Sequence, residues 1–70
     1  MDYQVQSVLV PKQKFTLHQA VKWVENNNFV VLKVDSATNF WRFRQVNPKR
    51  GAEYRMKKLK NGVELVLMYF

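Results

Sequence analysis

The chain contains no cysteine. That excludes a disulfide framework and a thiolate metal site, and it fits a reducing compartment. Glycine and proline are scarce, with two of each, which leaves little material for a linker. No apolar run approaches the ~20 residues that a membrane-spanning helix needs. The opening MDYQVQ has an early aspartate and no apolar h-region, so no secretory signal is expected. There is no internal repeat and no low-complexity segment, and residues 1–70 read as a single domain.

The residues that do chemistry are equally sparse. There is one histidine and there are five scattered acidic residues. His18 has no partners at metal-ligand spacing and reads as a surface residue near a helix start. No two carboxylates lie close in sequence for acid–base work. Ser7 and Ser36 have neither a nearby base nor the glycines of a nucleophile elbow. Gly51 and Gly62 are isolated, so no phosphate-cradling loop is present. The expectation is a protein that is not an enzyme and needs no cofactor and no metal.

What the chain does have is apolar residues and positive charge. Hydrophobic residues make up 47% and aromatics 14% of the chain. A domain this small buries only roughly 60% of its unfolded surface. Its core seldom supplies more than about 3–5 kcal/mol. Twelve Lys and Arg against five Asp and Glu give a formal charge of +7. Such a balance favours polyanions, meaning nucleic acid or an anionic surface.

The local patterns predict a β-α-β-β-β-β order. Residues 3–10 alternate at Tyr3, Val5, Ser7 and Leu9 and are rich in β-branched side chains, which predicts a strand ended by Pro11. Residues 16–27 predict the one helix. Thr16 is a good N-cap, with Gln19 placed for a capping box and Phe15 for a hydrophobic staple on Ala20. Leu17, Ala20, Val21 and Val24 form its apolar stripe, with Trp23 at the edge. Asn26, Asn27 and Asn28 should stop it, because Asn tolerates a left-handed backbone. Strands are predicted at 29–35, 40–46, 54–60 and 63–70. A turn at 36–39 joins the first two of these, and 47–53 is a polar loop. Asn61-Gly62 is the signature of a two-residue type I′ hairpin turn. The expected fold is α+β, a small two-layer sandwich with a mainly antiparallel sheet and one helix on one face. One helix cannot cover five strands, so part of the sheet must stay polar or meet a partner.

The charge is concentrated. Residues 42–60 carry eight cations (Arg42, Arg44, Lys49, Arg50, Arg55, Lys57, Lys58 and Lys60) and only Glu53. Strand alternation puts Arg42 and Arg44 on one face and Trp41 and Phe43 on the other. Arg55 and Lys57 likewise share a face. If strands 40–46 and 54–60 pair with these residues on one side, four cations form a patch. Like charges opposed on a sheet are destabilising, and an anion on the patch would relieve them. Cations on a strand also simply keep a face soluble and blunt an edge. Phe40-Trp41-Arg42-Phe43-Arg44 interleaves aromatics with cations as single-strand binders do. Trp41 and Phe43 also read as core, which makes Phe40 the better stacking residue. The RNP1 pattern is absent.

The runs VQSVLVPKQKFTLHQAVKWVENNNF, KVD, NFWRFRQVNP and YRMKKLKNGVELVL carry a resemblance. In that order they resemble a short domain encoded by tailed phages and large DNA viruses. That domain has a VQSVL-PK-KF opening, a helix with Ala and Trp, a YRFRQ strand and an R-KKL-NG-ELV hairpin. The match spans about residues 4–68. Its motif positions fall on Gln6, Ser7, Pro11, Lys12, Trp23, Arg42, Phe43, Arg44, Gln45, Arg55, Lys57, Lys58 and Gly62. Trp41 stands where the family often has Tyr, and Asn28 where a glycine commonly ends the helix. The resemblance implies a viral module, found alone or beside head-maturation proteins, with a binding role rather than catalysis. It implies action inside the infected host cell, in cytoplasm or nucleus, or in the virion. It names no ligand.

Two functions follow as expectations. One is binding of DNA or RNA, with little sequence preference, through Arg42, Arg44, Lys49, Arg50, Arg55, Lys57, Lys58 and Lys60, with Phe40 or Trp41 stacking. The other is a protein-interaction module, acting on a host or virion protein or as a homodimer paired through an exposed strand 63–70. No membrane partner is expected.

Overall fold

The computed structural model describes residues 2–70. The elements are β1 Tyr3–Pro11, α1 Leu17–Asn26, β2 Val34–Ser36, β3 Phe40–Arg44, β4 Glu53–Lys58 and β5 Glu64–Tyr69. The strands form one antiparallel sheet in the order β2-β3-β1-β5-β4. The fold is the expected α+β domain of one helix and one sheet.

The helix begins as its sequence dictates. Thr16 Oγ1 accepts from the Gln19 N–H at 3.2 Å, and Gln19 Oε1 accepts from the Thr16 N–H at 2.9 Å. This reciprocal box satisfies two backbone donors at the helix start. At the other end Asn28 takes φ 64°, and the Phe29 N–H reaches back to the Val24 carbonyl at 3.0 Å. The asparagine thus supplies the left-handed residue that closes the helix. Ala20 and Val24 are buried against Val8, Val10, Phe43 and Val63. Leu17, expected on the buried stripe, is instead 43% exposed.

Four local expectations need correction. Residues 29–33 are not strand; only Val34–Ser36 pairs with β3. The reason is Gln45. Its side-chain Oε1 accepts from the Val30 N–H at 2.7 Å and its Nε2 donates to the Val30 carbonyl at 2.9 Å. One amide side chain therefore stands in for a strand partner and holds the segment without a ladder. Replacing Gln45 with Ala leaves both groups of Val30 without protein partners. Val30 is exposed and water can replace the lost partner, so we expect a loss of about 0.5–1.5 kcal/mol in a denaturant titration, together with faster amide exchange at Val30.

The second correction concerns Asn61-Gly62. The Gly62 N–H donates to the Leu59 carbonyl at 3.0 Å, and the Leu59 N–H donates to the Val63 carbonyl at 2.8 Å. Gly62 has φ +90°, whereas Asn61 does not take positive φ. The loop is therefore the three-residue kind, a type I turn followed by a left-handed glycine, and not type I′. Asn61 Oδ1 accepts from the Val63 N–H at 3.1 Å, which favours this geometry.

Third, Pro11 does not end all pairing of β1. The Lys12 N–H donates to the Asn39 carbonyl at 3.0 Å, one residue beyond the Pro11–Phe40 pair. On the β5 side the ladder already stops at Leu9, so the missing proline N–H interrupts nothing. Fourth, the last strand is not an edge. β5 lies between β1 and β4, and its apolar residues on both faces belong to an interior strand. The sheet edges are β2 and β4.

Candidate nucleic-acid interface

The pairing register assigns every strand residue to a face, because residues directly opposite each other point the same way. On β3, Phe43 lies opposite the buried Val8, while Arg42 and Arg44 lie opposite Leu9 and Ser7. Phe43 and Trp41 therefore face the helix, and Phe40, Arg42 and Arg44 face away, on an open side with no helix. Phe43 is fully buried. Trp41 is half-buried, donates from Nε1 to the Phe15 carbonyl at 3.4 Å, and carries the Lys12 ammonium 4.4 Å from its ring centroid. It is a packing residue, and its indole is already occupied by a cation.

The proposed patch of four cations does not form. β3 and β4 do not pair; β1 and β5 lie between them. They also present their cations on opposite sides. Arg55 and Lys57 lie opposite Leu67 and Leu65, and Leu65 in turn lies opposite the buried Val8. This is the helix side. There Arg55 sits over the Tyr69 ring at 5.3 Å and is 3.8 Å from Glu53. Only Lys58, opposite Glu64, joins Arg42 and Arg44 on the open side. Lys60 lies in the exposed hairpin loop.

Alternation fails as a guide in β1 because of a bulge. The register shifts between Val5 and Ser7. Val5 pairs with Leu67 on the helix side, whereas Ser7 pairs with Val66 on the open side. The extra residue, Gln6, makes the strand change faces. It also anchors a buried polar network. Ser7 Oγ donates to Gln6 Oε1 at 2.7 Å, and Gln6 Nε2 donates to the Val46 carbonyl at 3.0 Å. Arg42 completes it, with Nε 3.2 Å from Ser7 Oγ and Nη2 3.3 Å from Gln6 Oε1. Part of the Arg42 guanidinium is thus committed to holding the bulge, and its other N–H donors are free for a ligand.

The polar loop 47–52 brings Lys49 to the same open side, with the exposed Arg50 next to it in the loop. The Lys49 N–H approaches Met68 Sδ at 3.3 Å, and its carbonyl accepts from the Tyr54 hydroxyl at 3.2 Å. Met68 and Tyr54 are opposite each other on the open face, so the loop folds against that face and buries Met68. The Lys49 ammonium rests 3.7 Å from the Phe70 ring centroid. Arg44, Lys49, Arg50 and Lys58 are all exposed. Asp35 lies opposite Arg42 and Glu64 opposite Lys58, yet none of these open-side cations has a carboxylate within 4 Å among the described residues. Exposed Tyr54 and Met56 and half-buried Phe40 add apolar surface there. Tyr54 and Met56 escape a reading from charge and motif; only the β4–β5 register reveals that they join this face.

The open side thus combines cations with aromatic and thioether surface on a face of the antiparallel sheet that no helix covers. It has no metal-binding constellation: among the described residues no group of three or more His, Asp or Glu comes together. No helix among the described residues is long and apolar enough to cross a membrane. Comparison with known proteins finds no matching family model, curated protein or solved structure.

Proposed function

We propose that the chain is a non-enzymatic binding module for nucleic acid and that the open sheet face is its contact surface. The observation that carries this reading is the sheet face that no helix covers and that loop 47–52 covers only in part. It carries Arg42, Arg44 and Lys58, with Phe40 at one end and Tyr54 at the other, and the loop bearing Lys49 and Arg50 lies against it. Cations contact phosphates, and aromatic faces accept bases of any sequence. Arg55 and Lys57 lie on the other side and contribute only to the general field. A single strand fits best, because its unstacked bases can reach the exposed aromatic side chains of this face. The resemblance to the phage and virus domain supports a viral setting, inside the infected cell or in the virion.

The test is fluorescence anisotropy with labelled single- and double-stranded DNA and RNA over a range of salt. If about five cations engage a single strand, log K falls with log salt with a slope of about −3.5. A slope near zero contradicts the reading. The second reading is a protein partner, favoured by β4, whose residues are all exposed along an unpaired sheet edge. Its Arg55, Lys57 and Lys58 are residue types that discourage edge pairing, which ranks it second. A homodimer formed through that edge would raise the mass seen by light scattering as concentration increases.

A further inference from the structure

At the end of the open face away from the loop 47–52 lies a groove of about 350 Å³. The turn after β1, the start of β3, the end of β4 and the following hairpin loop border it. Phe40 and Pro11, paired across the strands, contribute apolar wall. Lys14 and Lys58 line it, and neither has a carboxylate within 4 Å among the described residues. The Lys14 turn is fixed, because the Pro11 carbonyl accepts from the N–H groups of Lys14 at 3.2 Å and Phe15 at 3.1 Å. Lys14 and Pro11 approach Gly62 closely. A Cβ there would lie 3.3 Å from Lys14 Nζ and 3.3 Å from Pro11 Cγ. Glu64 is the one acidic group in the lining.

We propose, building on the nucleic-acid reading, that this groove seats one unpaired nucleotide and prefers guanine. Its volume suits a ligand of that size. Phe40 offers a stacking wall for the base. The two lysines flank the position of the phosphate as mobile donors. An ionised carboxylate only accepts hydrogen bonds. Guanine presents two adjacent N–H donors, N1–H and the N2 amino group, on one edge, whereas cytosine, adenine and uracil place acceptors beside their donors. Glu64 therefore selects guanine, while the rest of the open face remains indifferent to sequence.

The probes are GMP, UMP, inorganic phosphate and a short single-stranded oligonucleotide, each titrated into the isotope-labelled protein and followed by amide chemical shifts. GMP should shift Lys14, Asn39, Phe40, Gly62 and Glu64 and bind about tenfold more tightly than UMP. Glu64→Gln should erase that preference, and Phe40→Ala should weaken both nucleotides about tenfold. Equal affinity for the two nucleotides, or phosphate alone reproducing the shifts with the same affinity, overturns the proposal without needing any variant to fold. An oligonucleotide that shifts Arg44 and Arg50 but leaves the groove untouched overturns the groove and spares the wider reading. GMP binding in the groove with no oligonucleotide binding does the reverse.

Discussion

Phe43→Ala abolishes cooperative folding at room temperature. Phe43 is the largest fully buried side chain, packed among Val8, Val10, Ala20 and Val24 where the helix meets the sheet. Truncating a buried phenylalanine costs about 3–5 kcal/mol, from lost transfer free energy and the cavity left behind. A domain of this length has about 3–5 kcal/mol in total. The expected thermal melt, followed by far-UV circular dichroism, therefore has no folded baseline. Phe40→Ala is the matched control. The same residue type, three positions earlier and half-buried on the open side, should cost far less and leave a cooperative transition. A Phe43→Ala melt within a few degrees of the parent would mean that this residue does not anchor the core.

The second large effect separates the two faces of the sheet. Replacing Arg44, Lys49, Arg50 and Lys58 together with Ala removes four exposed cations from the open side. Each single-strand phosphate contact contributes about 0.7 to the salt slope, so the slope should become shallower by about 3. Replacing Arg55 and Lys57 removes exposed charge from the helix side and should change the slope by less than about 0.5. Exposed substitutions of this kind change stability little, so melting curves of both variants should stay close to the parent. A charge-driven but non-specific protein would instead lose affinity in proportion to the number of cations removed, whichever face they came from.

The elements that rest on neighbouring residues were legible in the chain. Thr16 with Gln19 marked the helix start, and the asparagine run marked its end, because capping is local chemistry. The loop at Asn61-Gly62 was placed correctly for the same reason, although a side-chain acceptor, Asn61 Oδ1, moved it to a different turn type. The failures are non-local. Residues 29–32 are apolar, with Val30 and Val31 β-branched, and they look like a strand until the distant Gln45 amide replaces the partner. The bulge at Gln6 reverses the faces of β1, and nothing in an alternating run of residues announces it.

The candidate site suffers from the same blindness to register. That Arg42 and Arg44 share a face follows from alternation within one strand. Whether Arg55 and Lys57 join them depends on which strand pairs with which, and the intervening β1 and β5 place them on the opposite side. Several of the motif residues named in the sequence serve architecture. Gln6, Ser7 and Arg42 hold the bulge, Gln45 holds residue 30, Lys12 covers Trp41, and Gly62 closes the last hairpin. Their presence together in such a pattern is explained by folding before any ligand is invoked.

The most direct test of the central claim is a footprint. Amide and side-chain shifts of the labelled protein, recorded while a short single-stranded oligonucleotide is added at physiological salt, locate the contact surface without mutation. The open-face reading predicts that the largest changes fall on Phe40, Arg42, Arg44, Lys49, Arg50, Tyr54 and Lys58, with Tyr3, Arg55, Lys57 and the α1 surface unmoved. Shifts centred on Arg55, Lys57 and Tyr69, or spread evenly over every cation, would contradict it.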